Sequence, residues 1–167
     1  MTDQHTVRRA LLMSGIGAVA AAGLIGPGAA SAQAADACSD IAVVFARGTA
    51  EPAGLGRVGA GAPAKLGIDG LRDQLGGRSV SATAVNYPAS YDFLHSAPAG
   101  ADDASAQIQA TAARCPDTTI TMLGFSQGAD VVSDVVHRAS RHTIALPPER
   151  ISGAVMLGSP RRDPEAA

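Results

Sequence analysis

The sequence has few aromatic residues and almost no excess charge, and these absences exclude several classes of protein. Its 167 residues include no Trp, two Tyr and three Phe, too few for a base-stacking platform or an aromatic membrane belt. Thirteen Lys and Arg against fifteen Asp and Glu give a net charge of −2, so the basic footprint of a nucleic-acid-binding protein is absent. Two cysteines exclude a disulfide-dense miniprotein and a zinc site made of Cys alone. No cluster of His, Asp and Glu has ligand spacing, so we expect no metal and no other cofactor.

The first 34 residues have the pattern of a secretory signal peptide. A pair of arginines precedes an apolar run at residues 10–25, and small residues that suit cleavage follow that run. The alternative is a membrane anchor, which the short run of Ala and Gly disfavours. We therefore expect residues 1–34 to be removed and residues 35–167 to form one secreted, extracellular domain with no membrane span.

Export changes the interpretation of the two cysteines, Cys38 and Cys115. Two thiols that reach an oxidising compartment tend to pair. The alternative is a free nucleophilic thiol, but Cys38 lies at the start of the mature chain and Cys115 directly precedes a proline. Neither has the neighbours that activate a thiol, so a disulfide between them is the expectation.

Strand and helix patterns alternate along the chain after residue 34. Short apolar or β-branched runs predict four strands, at residues 41–45, 79–87, 118–123 and 151–157. Apolar residues at helical spacing predict three helices, at residues 64–75, 101–114 and 127–140. This alternation predicts an α/β fold, a doubly wound parallel sheet with helices on both faces.

The segment Gly124-Phe125-Ser126-Gln127-Gly128 matches the pattern G-x-S-x-G between the third strand and the third helix. A sharp turn there would expose the Ser126 hydroxyl, and glycines on both sides would avoid collisions in that turn. The helix that follows would offer amide donors and a positive dipole to a developing oxyanion. The alternative is a structural Gly-rich turn, but the strand-motif-helix order favours a nucleophile.

Four segments together resemble the cutinases, secreted serine esterases of the α/β-hydrolase type, and especially their actinobacterial members. They are Cys38 leading into IAVVFARGTAE, VNYPASYDF at residues 85–93, Cys115 before TITMLGFSQGAD, and MLGSPRR near the C-terminus. The similarity covers nearly all of the chain that follows the predicted signal peptide.

This resemblance implies a role for each matching residue. Ser126 corresponds to the nucleophile. Thr49, through its backbone N–H and hydroxyl, and Gln127, through its backbone N–H, correspond to the oxyanion hole. Cys38 and Cys115 correspond to a disulfide of the family. The implied reaction is hydrolysis of small-molecule or polymeric esters, such as lipid esters or polyesters, through an acyl-enzyme.

The sequence departs from the family pattern after the fourth predicted strand. The family has its triad Asp and His, a last strand and a second cysteine pair in that region. We therefore expect a domain at residues 35–167 that is incomplete at its C-terminus, with the triad Asp and His not present. The last strand would be missing as well, leaving the fourth strand as an exposed edge. A truncated, non-catalytic product is therefore the alternative to an active esterase.

Other titratable residues could replace the missing base only if they reach Ser126. His137 lies 11 residues further along the same predicted helix, roughly 16 Å along its axis, and is out of hydrogen-bond reach. We expect His137 and His142 to be surface histidines, and His95 to be a solvated loop residue. Asp130 and Asp134 are expected to be charges on the exposed face of the helix.

Overall fold

The computed structural model describes residues 38–54, 62–163 and 165. The predicted signal peptide, residues 1–34, lies outside the described residues. The elements are, in order, β1 (Ile41–Ala46), α1 (Ala62–Gln74), β2 (Val80–Ala84), α2 (Phe93–Arg114), β3 (Thr119–Phe125), α3 (Gln127–Ser140), a 3₁₀ turn (Pro148–Arg150) and β4 (Ile151–Leu157).

The four strands form one parallel sheet in the order β2-β1-β3-β4. Since β1 leads outward to β2 and the chain then returns past β1 to β3, successive crossovers cover opposite faces of the sheet. Helix α1 packs with Ile68 against Val43 and Phe45 on one face. Helices α2 and α3 pack against Val44 and Met122 on the other. The predicted α/β class with a doubly wound parallel sheet is therefore confirmed.

Helix α2 begins eight residues before its predicted start. The prediction started this helix at residue 101. Pro98, which lacks a backbone N–H and is unfavourable inside a helix, lies before that point. The helix nevertheless starts at Phe93, and its first two turns bury Ala97 and Gly100. Gly100 lies so close to Tyr87 and Val131 that a Cβ would be within 3.0 Å of both side chains. Close packing on the sheet thus outweighs the local cost of the proline.

A disulfide joins Cys38, just before β1, to Cys115, the residue that ends α2. It confirms the predicted pairing and leaves no free cysteine in the described part of the chain. The bond ties the start of the central strand to the end of the longest helix. It therefore closes a loop of 77 residues that contains most of the layer on one side of the sheet.

Reducing this disulfide is expected to lower the free energy of unfolding by about 4 to 5 kcal/mol, because a long loop regains its freedom in the unfolded chain. Urea unfolding curves with and without dithiothreitol measure the change. The double variant Cys38→Ser/Cys115→Ser is the control. It should unfold at the same urea concentration as the reduced protein, whether or not dithiothreitol is present. Equal midpoints for the oxidised and reduced protein would contradict the prediction.

Strand β4 lies at one edge of the described sheet, with β3 as its only neighbour. Val155, Met156 and Leu157 are 43–45% exposed there. An open apolar groove of about 570 Å³ lies between β4 and Leu66 of α1. The fourth strand is therefore an exposed edge of the described sheet, as the sequence predicts. No helix in residues 38–54 and 62–163 is both long enough and apolar enough to cross a membrane.

Candidate active site

Ser126 occupies the tight turn between β3 and α3. Its backbone has φ 53° and ψ −117°, a strained conformation for any residue other than glycine. Two hydrogen bonds hold it there: the Ser126 N–H donates to the Leu157 carbonyl at 2.8 Å, and the Ala129 N–H donates to the Ser126 carbonyl at 2.8 Å. The hydroxyl does not cap the helix that it precedes. The fold thus maintains strain at this residue, and its hydroxyl has no hydrogen-bond partner in residues 38–54 and 62–163.

The two glycines of the motif are required by close backbone contacts. A Cβ on Gly124 would overlap the backbone of Gly128 and Ala129. A Cβ on Gly128 would overlap the carbonyl groups of Ala46 and Arg47 at the end of β1. The first turn of α3 can therefore pack against β3 and β1 only if both positions lack a side chain. This is the steric reason that the sequence pattern suggested.

Thr49 and Gln127 lie at the same edge of the sheet, where β1 and β3 end. The loop after β1 passes beside the end of β3, since a Cβ on Gly48 would lie 2.9 Å from the Phe125 ring. Thr49 is partly exposed in that loop. Gln127 is the first residue of α3, where a backbone N–H has no intrahelical acceptor. In the described part of the chain, neither the Thr49 N–H nor the Gln127 N–H has a hydrogen-bond acceptor. Both are therefore able to donate a hydrogen bond to a ligand oxygen.

The loop that carries Thr49 is anchored by Arg47, a residue that the sequence analysis missed. Arg47 is 7% exposed, and its guanidinium donates to the carbonyls of Tyr87 at 2.5 Å and Glu51 at 2.8 Å. The Glu51 carboxylate in turn accepts the Gly48 N–H at 2.5 Å. The only signal in the sequence was an arginine directly after a fully apolar strand, a position where a charge must find buried partners.

Tyr87 completes this anchor and is a structural residue. Its hydroxyl donates to the Arg47 carbonyl, and the Arg47 guanidinium lies 4.9 Å from its ring centre. Burial raises the pKa of Tyr87 to about 12, and the positive charge of Arg47 opposes that rise. Tyr87 therefore stays neutral at ordinary pH and holds the loop after β2 against the loop after β1.

None of the described histidines hydrogen-bonds to Ser126. His95 pairs through Nδ1 with the Asp92 carboxylate at 2.8 Å on the exposed start of α2. His137 and His142 are exposed at the far end of α3 and just beyond it. The exposure of all three histidines agrees with the prediction, but His95 lies in the first turn of α2 and not in a loop as predicted. Across residues 38–54 and 62–163, no His, Cys, Asp and Glu side chains group in a way that could hold a metal ion.

Asp130 differs from the prediction, because it is buried rather than exposed on the helix face. It is 8% exposed in the first turn of α3, and its carboxylate lies 3.3 Å from Arg161 Nε. Burial raises the pKa of Asp130, and the Arg161 charge opposes this effect. Asp134, one turn later, pairs with Arg138 at 2.9 Å and stays on the exposed side as predicted.

Replacing Asp130 by asparagine is expected to raise the Tm at pH 7. A carboxyl whose folded-state pKa is raised weakens the folded state when ionised, and this penalty disappears as pH falls below its ordinary pKa. The gain should therefore shrink between pH 7 and pH 3. Circular dichroism melts across that range measure it, with Asp134→Asn as the matched control that should bring no gain. A lower Tm for Asp130→Asn at pH 7 would contradict the prediction.

A parallel sheet with a strained serine between a strand and a helix defines an α/β-hydrolase-like protein. A sequence model of the Cutinase family matches residues 37–167, and the chain therefore belongs to that family.

Individual relatives agree with this membership. The chain is 47% identical over 137 residues to Carboxylesterase Culp1 of Mycobacterium tuberculosis, a match that covers 80% of this chain and 58% of that protein. It is 39% identical over 128 residues to a cutinase of Botryotinia fuckeliana, covering 75% of this chain and 59% of that protein. The chain thus spans less than two thirds of the length of these curated relatives.

Solved structures show the same fold. Trichoderma reesei cutinase in complex with a phosphonate inhibitor aligns with a TM-score of 0.58 at 32% identity, covering 70% of this chain and 50% of that chain. An acetyl xylan esterase aligns with a TM-score of 0.60 at 20% identity, covering 77% of this chain and 67% of that chain, and supports the fold alone.

Proposed function

We propose that this chain carries the nucleophile and the oxyanion hole of a secreted carboxylic ester hydrolase of the cutinase type. The observation that carries the proposal is the strained Ser126, which lies at the sheet edge that also holds Thr49 and Gln127. Among the described residues, neither the Ser126 hydroxyl nor the two backbone N–H groups have a hydrogen-bond partner. Backbone strain of this kind persists where the surrounding structure enforces it, and it concentrates at active sites. The family relatives named carboxylesterase and cutinase support the same class of reaction.

The reaction would proceed through an acyl-enzyme. Ser126 Oγ attacks the ester carbonyl carbon as a base removes the hydroxyl proton, and the carbonyl oxygen becomes an oxyanion. The N–H groups of Thr49 and Gln127 donate to that oxyanion, which is stabilised more strongly than the neutral carbonyl. The alcohol then leaves with a proton, and water hydrolyses the acyl group from Ser126. No step requires a cofactor.

The proposed substrates are small-molecule or polymeric esters, such as lipid esters and polyesters. Ser126 is partly exposed and lies where β3 ends at the edge of the sheet, which suits large or insoluble esters. Secretion is supported by the Cys38–Cys115 disulfide, since such bonds form in oxidising compartments. The predicted signal peptide at residues 1–34 agrees with this location.

A second candidate is a chain without turnover, and one observation favours it. None of His95, His137 and His142 hydrogen-bonds to the Ser126 hydroxyl in the described structure. A serine without a base loses most of its acceleration and keeps only the effects of binding and the oxyanion hole.

Covalent labelling with a p-nitrophenyl alkylphosphonate separates the two candidates. An active site should release one equivalent of p-nitrophenol per chain and add the phosphonyl group to the peptide that contains Ser126, as intact-mass and peptide mass spectrometry would show. Ser133 lies on the same helix and serves as the internal control. Labelling of Ser126 no faster than Ser133 would support the chain without turnover.

A further inference from the structure

The side chain of Gln127 is fully buried and takes part in a closed ring of three hydrogen bonds. Gln127 Nε2 donates to the Ser90 carbonyl at 2.8 Å, and Ser96 Oγ donates to Gln127 Oε1 at 3.0 Å. The Ser90 N–H closes the ring by donating to Ser96 Oγ at 3.0 Å. One end of the Gln127 amide is therefore fixed to the loop before α2, and the other end is fixed to the first turn of α2.

The same loop also holds the other side of the candidate oxyanion hole. The Ala50 N–H, next to Thr49, donates to the Ala89 carbonyl at 2.7 Å. Ala50 and Ala89 have φ angles of 59° and 48°, in a region that alanine rarely adopts. Three of the four described non-glycine residues with positive φ, Ser126 included, thus lie around one site.

Ala89 and Ser90, which we call the bridge, therefore connect the loop after β1 to the start of α3. One side of the bridge holds the β1 loop through Ala50, and the other holds the start of α3 through Gln127. Ala89 is 1% exposed and packs in the core, and Ser90 is half-buried. The bridge thus hydrogen-bonds both to the residue after Thr49 and to the side chain of Gln127.

We propose that Ser96 and the Gln127 side chain are positioning residues that act through the Ala89–Ser90 bridge to fix the spacing of the two oxyanion-hole N–H groups. This inference rests on the proposed function, because it assigns a role to residues around the same site. Oxyanion stabilisation requires both donors to lie within about 2.7–3.1 Å of the developing charge. A buried ring of hydrogen bonds supplies that rigidity, whereas a helix N-terminus alone would leave the first residue free to fray.

Amide exchange followed by NMR tests the connection without requiring turnover. The probe is the Ala50 N–H, which Ser96 does not contact but which the bridge protects. We expect Ser96→Ala to accelerate Ala50 exchange about tenfold, as the loss of one buried hydrogen bond should. Ser105→Ala is the matched control, because Ser105 is also buried on α2 while its hydroxyl has no partner in the described chain. It should change Ala50 exchange less than about twofold.

A second variant, Gln127→Met, keeps the length and burial of the side chain, removes both of its hydrogen bonds and leaves the backbone N–H intact. It should accelerate Ala50 exchange as Ser96→Ala does. For p-nitrophenyl butyrate, both variants should lower kcat about tenfold and leave KM within about twofold, because the oxyanion exists only in the transition state. Ser105→Ala should leave both constants unchanged.

Unchanged Ala50 exchange in folded Ser96→Ala and Gln127→Met would overturn the inference. So would an equal acceleration in Ser105→Ala, or global unfolding of both ring variants in thermal melts, since either result would indicate general packing. A wild-type chain without Ser126-dependent turnover would contradict the proposed function, whereas amide exchange would still decide whether the bridge connects the two loops.

Discussion

Replacing Ser126 by alanine is expected to lower the turnover of p-nitrophenyl butyrate at least about a thousandfold, because the change removes the hydroxyl proposed to attack the ester carbonyl. The oxyanion donors are backbone N–H groups and remain in the variant, so weak binding of the ester should persist. KM should therefore change far less than kcat. Steady-state kinetics with the purified chain and the Ser126→Ala variant measure both constants.

The stability of variants at position 126 tests the backbone strain independently of activity. Ser126 is held at φ 53°, and a Cβ in that region costs on the order of 1–3 kcal/mol. Ser126→Gly should therefore be more stable than Ser126→Ala by about 1 kcal/mol, since glycine adopts positive φ without strain. Urea unfolding of the two inactive variants measures this difference. Equal stability would show that the turn is not strained.

Ser133→Ala is the control for the activity measurement. Ser133 lies on the same helix and is partly buried, but it is seven residues beyond Ser126 and outside the turn. Its variant should keep wild-type turnover. If Ser126→Ala retained more than about a tenth of the wild-type rate, the nucleophile would have to be another group.

The sequence predicted the elements whose signal is local. Strands β1 and β4 match their predicted bounds within one residue, because each is a short, mostly apolar run that ends at a charged residue or a glycine. Helix α3 matches its predicted bounds, since the G-x-S-x-G turn fixes its start and its apolar face repeats at helical spacing. The strained turn at Ser126 was predictable for the same reason, as five consecutive residues encode it.

The parts that the sequence did not predict depend on residues far apart in the chain. Ser96 meets Gln127 across 31 positions, and Arg47 meets Tyr87 across 40 positions. Neither pair has a periodic or compositional signal, and each becomes meaningful only when the sheet brings its loops to one edge. Asp130 was misplaced for a related reason: the sequence placed it on the helix, but its burial depends on how α3 packs and on Arg161, 31 residues further on.

Replacing Gly128 by alanine is expected to lower the free energy of unfolding by more than about 5 kcal/mol, the largest effect of any single substitution considered. The new Cβ would overlap the carbonyl groups of Ala46 and Arg47, which are backbone atoms of the central strand and its loop. Neither can move away as a flexible side chain would, so the first turn of α3 must leave β1. That movement would separate the Gln127 N–H from the loop of Thr49.

Gly70→Ala is the matched control for this substitution. Gly70 lies in α1, where a Cβ would meet nothing within 4 Å, so the change should stabilise the protein by up to about 1 kcal/mol. Urea unfolding measures the stability of both variants, and p-nitrophenyl butyrate turnover measures the activity of the site. A Gly128→Ala protein that unfolds at the wild-type midpoint would show that α3 does not press on the end of β1. Instability with wild-type turnover in the folded fraction would instead show that the two oxyanion donors do not depend on this contact. The two measurements together therefore separate the packing of the turn from its proposed role in catalysis.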